Sequence, residues 1–185
     1  MEIVFDAIAS NESFARVAVA AFVTHMNPTL EELSDIKTAV SEAVTNAIIH
    51  GYENIGSYGE MRLTQKEPMQ KEVTQKDPTQ KEPTQKEPAQ HELPQKDPGK
   101  VRLYCRLEGQ ELHIQVTDQG KGIEDIEKAM EPLFTTKPEL ERSGMGFAFM
   151  EAFMDELKVS STPGEGTCVY MKKRLGTNMP DASEE

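Results

Sequence analysis

"SEAVTNAIIHGY", residues 41–52, decides the reading of the fold. Its alanines, valine and isoleucines have the spacing of a buried helix, yet Glu42, Asn46 and His50 recur at intervals of four. At about 100° per residue these three fall within roughly 80° of one another, so a core helix carries one polar stripe. A stripe of this kind requires a polar group opposite it. Upstream, Thr29 followed by Glu32 is a capping-box signature, and Gly51 supplies the stop. The helix is therefore expected to run from Thr29 to Gly51.

Working outward, "NESFARVAVAAFVTHM" reads as an alanine-rich helix and "EIVFDAI" as a strand before it. Downstream, "MRLT" has strand character. It is followed by seven five-residue units of the TQKEP type over residues 64–98, which hold six of the eleven prolines. A proline every fifth residue removes helix donors and biases its predecessor toward extended geometry, and the near absence of apolar side chains leaves nothing to bury. This segment is expected to be a disordered or polyproline-like tether within a single domain formed by 1–63 and 99–175, with 176–185 a flexible tail. Beyond it, "KVRLYCRLEGQELHIQVTD" gives two strands joined across Glu108-Gly109, with a short helix around Ile123 to Met130. The helix "MGFAFMEAFMDEL" precedes the hairpin "KVSSTPGEGTCVYMKKR", and its Phe147, Met150, Met154 and Leu157 are read as one core stripe. Strands beside three longer helices imply an α+β sandwich with the helices on one face of the sheet.

The formal charge of −12 argues against a protein that grips a phosphate backbone, and suits either a basic protein partner or simple solubility. Cys105 and Cys168 lie far apart in apolar runs, with neither CxxC spacing nor clustered histidines, and are read as core thiols in a reducing cytosol. The first residues lack a basic leader, and no window approaches about 18 apolar residues, so a cytoplasmic protein is expected.

Two further segments carry chemistry. In "ELHIQVTDQGKG", Leu112, Ile114, Val116 and Asp118 share one strand phase, so the carboxylate either faces the core, where it needs donors, or closes an Asx turn. Gly120 and Gly122 follow directly and permit a close backbone approach to a ligand. In "ERSGMGFAFM", Ser143, Gly144 and Gly146 stand at a helix mouth, where amide groups and the helix dipole favour an anion. The polar "FTTKPELER" between them, with Lys137 and Arg142, is either a solvated loop or a lid over a polyphosphate.

Taken in order, the Glu42-to-His50 helix, the Asp118-to-Gly122 box and the Gly144-to-Gly146 box resemble the GHKL (Bergerat) ATP-binding fold of gyrase-type ATPases, MutL and histidine kinases. The resemblance implies a two-layer α+β sandwich with a mixed, mostly antiparallel sheet and a mobile ATP lid. It implies that Asn46 holds a Mg²⁺ bridging the phosphates, and that Asp118 accepts the adenine amino group. "NESFARVAVAAF", "IKTAVSEAVTNAIIHGY" and "PLFTTKPELERSGMGFAFMEAFMDEL" are similar to the anti-sigma F factors of endospore-forming bacteria, small serine kinases of this class. That similarity implies sequestration of sporulation sigma factor F, ATP-dependent phosphorylation of a serine on an anti-anti-sigma factor, and a homodimer. It places Glu42 as the catalytic base and Arg16 at a sigma contact. Around the nucleotide it places Gly120, Gly122, Thr135, Thr136, Lys137, Ser143, Gly144, Met145, Gly146 and Phe147 beside Asn46 and Asp118. His50 is read as structural. The repeat is the departure from the family pattern, and its removal is expected to leave ATP binding intact because loop closure costs only about 0.6 kcal/mol per doubling of length. The alternatives are a histidine-kinase catalytic module, a nucleotide-dependent sigma-binding module without catalysis, and an anti-sigma kinase of another stress pathway.

Overall fold

The computed structural model describes residues 1–52, 98–133 and 144–176. Five strands form one sheet in the order β1-β2-β3-β5-β4: β1 (Glu2–Asp6), β2 (Lys100–Glu108), β3 (Glu111–Asp118), β4 (Glu156–Thr162) and β5 (Gly166–Arg174). Every pairing is antiparallel, so among the described residues the sheet is wholly antiparallel rather than mixed. Helices α1 (Ser10–Val23), α2 (Leu30–Asn46) and α4 (Gly146–Phe153) pack over it, and the short α3 (Ile126–Met130) lies at one end. The α+β sandwich is thus the observed architecture.

The core follows from two periodicities. Val101, Leu103, Cys105, Leu112, Ile114 and Val116 alternate with exposed or half-buried neighbours, so one sheet face is dry. Ile36, Ala39, Val40, Ala43, Val44, Ala47 and Ile48 recur at helical spacing on α2 and its continuation, and all are buried against that face. The capping box forms as expected: the Glu32 amide donates to Thr29 Oγ1 at 3.1 Å and the Thr29 amide to Glu32 Oε2 at 2.7 Å. The same carboxylate accepts from the Gly176 amide at 3.0 Å, so one buried acid caps α2 and anchors the end of β5. A cap of this type contributes about 1 kcal/mol.

Four details differ from the sequence expectations. The second helix does not end as an α-helix; Ala47–Gly51 widen into a π-helical turn, a deformation associated with functional positions. The α4 helix stops at Phe153 because Met154 is extended and the Asp155 amide donates to Lys172 O at 2.8 Å, which starts β4. Leu157 therefore reaches the core from a strand, opposite Met171, and not from the helical stripe of Phe147, Met150 and Met154. Ile123 lies outside α3, because its amide is taken by Ser161 Oγ at 2.8 Å, and Asp125 caps the shorter helix. Finally, only Cys105 is a core thiol, its pKa pushed up to about 12 by burial; Cys168 sits beside Val169 in the opposite phase, half-exposed, accepting from Gln115 Nε2 at 3.1 Å. The possible strand at "MRLT", the repeat through 97 and the tail from 177 lie outside the described residues.

Candidate functional site

A cavity of about 1070 Å³ opens where α2, the Asp118 turn, α3 and the mouth of α4 meet. It joins segments from three distant parts of the chain: Glu42, Asn46 and His50, then Asp118 and Gly122, then Gly144 to Phe147. The polar stripe of α2 thus faces this space, and Ala43, Ala47, Val116 and Val169 supply an apolar wall.

Asp118 projects inward from the last position of β3, with only 5% of its surface exposed. Burial raises its pKa above the ordinary carboxylate value, against the opposing influence of backbone bonds from Gly120 and Thr167. The Gly120 amide donates to Oδ1 at 2.8 Å, so the carboxylate closes an Asx turn and also faces inward; the two readings left open by the sequence hold together. Three glycines make this possible. A Cβ on Gly51 would lie 2.9 Å from Asp118 Oδ1, one on Gly120 would lie 2.2 Å from the Gly51 carbonyl oxygen, and one on Gly166 would meet Asp118 O at 2.1 Å. The end of the π-helical turn is therefore docked backbone to backbone on the DxGxG segment, and the Lys121 amide seals it by donating to Gly51 O at 2.9 Å.

At the other end, Gly146 opens α4 against α2. A Cβ there would stand 2.9 Å from Glu42 Oε2 and 3.3 Å from Asn46 Nδ2. Met145 lends the first turn of α4 no side-chain cap, so the helix mouth is presented to the cavity beside a carboxylate and an amide. Met145, Gly144 and Phe147 line the same wall, and Gly144 takes a positive φ of 66°.

Of the residues singled out from the sequence, Glu42, Asn46, Asp118, Gly122, Gly144, Met145, Gly146 and Phe147 meet in this one cavity. Gly120 stands behind the wall, under Gly51, and acts through packing. Arg16 is elsewhere, on α1, 3.6 Å from Glu12 and 39% exposed. Thr135, Thr136, Lys137 and Ser143 lie outside the described residues. His50 lines the cavity, consistent with a wall position. Sequence reasoning did not single out Tyr52, Lys121, Lys128 or Thr167. The glycine at 51 was noticed as a helix stop, but its contact with Asp118 depends on tertiary docking. Thr167 reaches Asp118 only through the β3–β5 register.

Charge sets what could bind. Glu42, Asp118, Glu124 and Asp125 outnumber Lys121 and Lys128 around the cavity. The charge balance of the described lining is unfavourable to a polyphosphate by itself, and an added cation would favour one there. Among the described residues no group of three His, Cys, Asp or Glu side chains could hold a metal by itself.

This fold and this cavity define a histidine kinase-like ATPase domain, whose family model matches residues 7–99 and 89–173. The domain implies binding of an adenine nucleotide. Among solved structures, that of the RsbU and RsbW domains of a Mycobacterium tuberculosis protein superposes with a TM-score of 0.54 at 18% identity. It covers 95% of this chain, which spans 31% of the larger one, and it supports the fold. The sequence relatives are far nearer. The anti-sigma F factor of Clostridium acetobutylicum is 47% identical over 175 residues, covering 95% of this chain and 93% of the relative. That of a Thermoanaerobacter species is 46% identical over 178 residues, with 96% and 95% covered, and that of Anoxybacillus flavithermus is 47% identical over 176, with 95% and 92% covered. The chain belongs to the anti-sigma F factor family. Among the described residues no helix is long and apolar enough to cross a membrane.

Proposed function

We propose that the chain is an ATP-dependent protein serine kinase that also sequesters sporulation sigma factor F. The observation that carries the kinase reading is the meeting of Glu42 and Asn46 with Gly146 at the mouth of α4, in the same cavity as Asp118. The Asp118 carboxylate would accept the adenine amino group, and the apolar wall of Ala43, Ala47, Val116 and Val169 would cover the ring faces. Asn46 would hold Mg²⁺, which supplies neutralisation of phosphate charge when bound. The amides at the start of α4 would receive phosphate oxygens. Thr135, Thr136, Lys137 and Ser143, which lie outside the described residues, would complete the proposed phosphate contacts.

Glu42, one turn before Asn46, would accept the proton of the substrate serine as its oxygen bonds to the γ-phosphorus. The bond from that phosphorus to the β,γ-bridging oxygen breaks, and ADP leaves. The substrate is the anti-anti-sigma factor. The partner surface is assigned to α1, where Phe14 and Val17 are 54% and 61% exposed beside Arg16. Apolar exposure of this kind on a helix suits sigma binding and homodimer contact. The acidic chain suits protein rather than nucleic-acid partners, and a sigma factor as partner implies a cytoplasmic location.

Incubation with labelled ATP, Mg²⁺ and the anti-anti-sigma factor tests the reading. The label is expected on a serine of the substrate. A chain that binds nucleotide and sigma factor F yet transfers no label would be a binding module without catalysis.

A further inference from the structure

Resting on the reading of Asp118 as the adenine acceptor, we propose that Tyr52 is a specificity-determining positioning residue whose hydroxyl fixes the direction of that carboxylate.

The phenol stands just after the π-helical turn and uses its full bonding capacity. It donates to Lys100 O at 2.7 Å and accepts from the Gln119 amide at 2.9 Å and the Lys100 amide at 3.3 Å. Its ring packs on Gly99, which holds φ at 75° and where a Cβ would lie 2.2 Å from the ring edge. The position was therefore built around the tyrosine. Gln119 immediately follows Asp118. With Tyr52 taking its amide, the three successive amides of the turn are all committed: Gln119 to Tyr52, Gly120 to the Asp118 carboxylate and Lys121 to Gly51 O. The first of these is the only one of the three made by a side chain from outside the turn. The Gly120 and Thr167 amides hold the Asp118 carboxylate directly, and the Tyr52 bond holds the Asp118–Gln119 peptide that leads from that carboxylate to its Gly120 donor, so losing it lets the turn, and with it the aim of the carboxylate, shift.

A carboxylate of fixed aim discriminates between a base that offers an amine and one that offers a carbonyl. Tyr52 thereby acts on base selection rather than on phosphate binding, which belongs to the opposite end of the cavity. The same hydroxyl also joins the last described residue before the repeat to the strand that follows it. The described chain on the two sides of the long insertion is thus tied together beside the base-recognition turn.

The test is a double-mutant cycle in the full chain, with ATP and inosine triphosphate as competing probes for one fluorescent nucleotide. Tyr52→Phe should lower the ratio of ATP to inosine triphosphate affinity by about fivefold, the value of one lost hydrogen bond, while the folded state persists by circular dichroism. Asp118→Asn should collapse the ratio by itself, and adding Tyr52→Phe to it should change the ratio no further, because the two act in series. Equal weakening of both nucleotides by Tyr52→Phe, or an undiminished further effect in the Asp118→Asn background, would make Tyr52 a purely structural residue and overturn the proposal. Loss of discrimination in the unmodified protein would instead overturn the adenine reading itself.

Discussion

The two ends of the cavity are built by opposite means. At the Asp118 end, every amide from 119 to 121 is bound within the protein, and three glycines are packed so closely that a methyl group would strike backbone or carboxylate. At the α4 end, the helix begins without a side-chain cap, and Glu42 and Asn46 stand beside Gly146 across an open mouth. The difference suits the proposed roles of the two ends. Selecting a base requires an acceptor of fixed position, whereas receiving a phosphoryl group requires donors that the fold has not already used.

The contrast is broken most sharply at its open end. Glu42→Gln keeps the side-chain shape, so it should slow serine phosphorylation by about a thousandfold while leaving ATP and sigma binding unchanged, as read by labelled transfer and by calorimetry. Retention of full transfer would remove Glu42 as the base. At the closed end, Asp118→Asn should weaken ATP by about a hundredfold, the scale of a charged hydrogen bond in a desolvated site. Its stability should move the other way. Burial raises the Asp118 pKa above its unfolded value, so the folded chain binds a proton first as pH falls. The buried charge therefore costs stability above the raised pKa, and that cost is relieved as pH falls through it. ATP affinity should fall over the same window, because the acceptor is being neutralised. Parallel titrations of Tm and ATP affinity check this; a rise of both toward acid would contradict the assignment.

Gly120→Ala probes the packing beneath the closed end. Its methyl would stand 2.2 Å from a backbone oxygen, with no flexible side chain to yield, so denaturant unfolding should show a loss of about 1–3 kcal/mol. The smallest effect is expected from replacing residues 64–98 by a short flexible linker. The Tyr52 hydroxyl bonds Lys100 O at 2.7 Å and so ties the chain before that segment to the chain after it, and ATP affinity should stay within about twofold. A large loss would show that the repeat takes part in the site.

What the sequence made legible was mostly local. The stripe of Glu42, Asn46 and His50 could be seen because helix period is a property of neighbours, and strand parity offered the inward aim of Asp118 as one of two open readings. Both glycine pairs were visible for the same reason. What escaped was set by docking between remote segments. Tyr52 lies in sequence just past the expected helix stop at Gly51, and nothing near it announces a bond to Gln119, 67 positions later. Leu157 fits a helical stripe and a strand equally well until pairing with Met171 chooses the strand. Cys168 was assigned to the core by its apolar neighbours, but its phase in β5 turns it to the uncovered face of the sheet.

The central claim is that these remote segments make one binding site for an adenine nucleotide with its metal. Isothermal titration of the full chain with ATP in the presence and absence of Mg²⁺ tests it most directly. The account predicts one nucleotide bound per chain, weakened strongly when Mg²⁺ is withheld and again by Asp118→Asn. Absence of binding, or binding indifferent to both Mg²⁺ and Asp118, would contradict it.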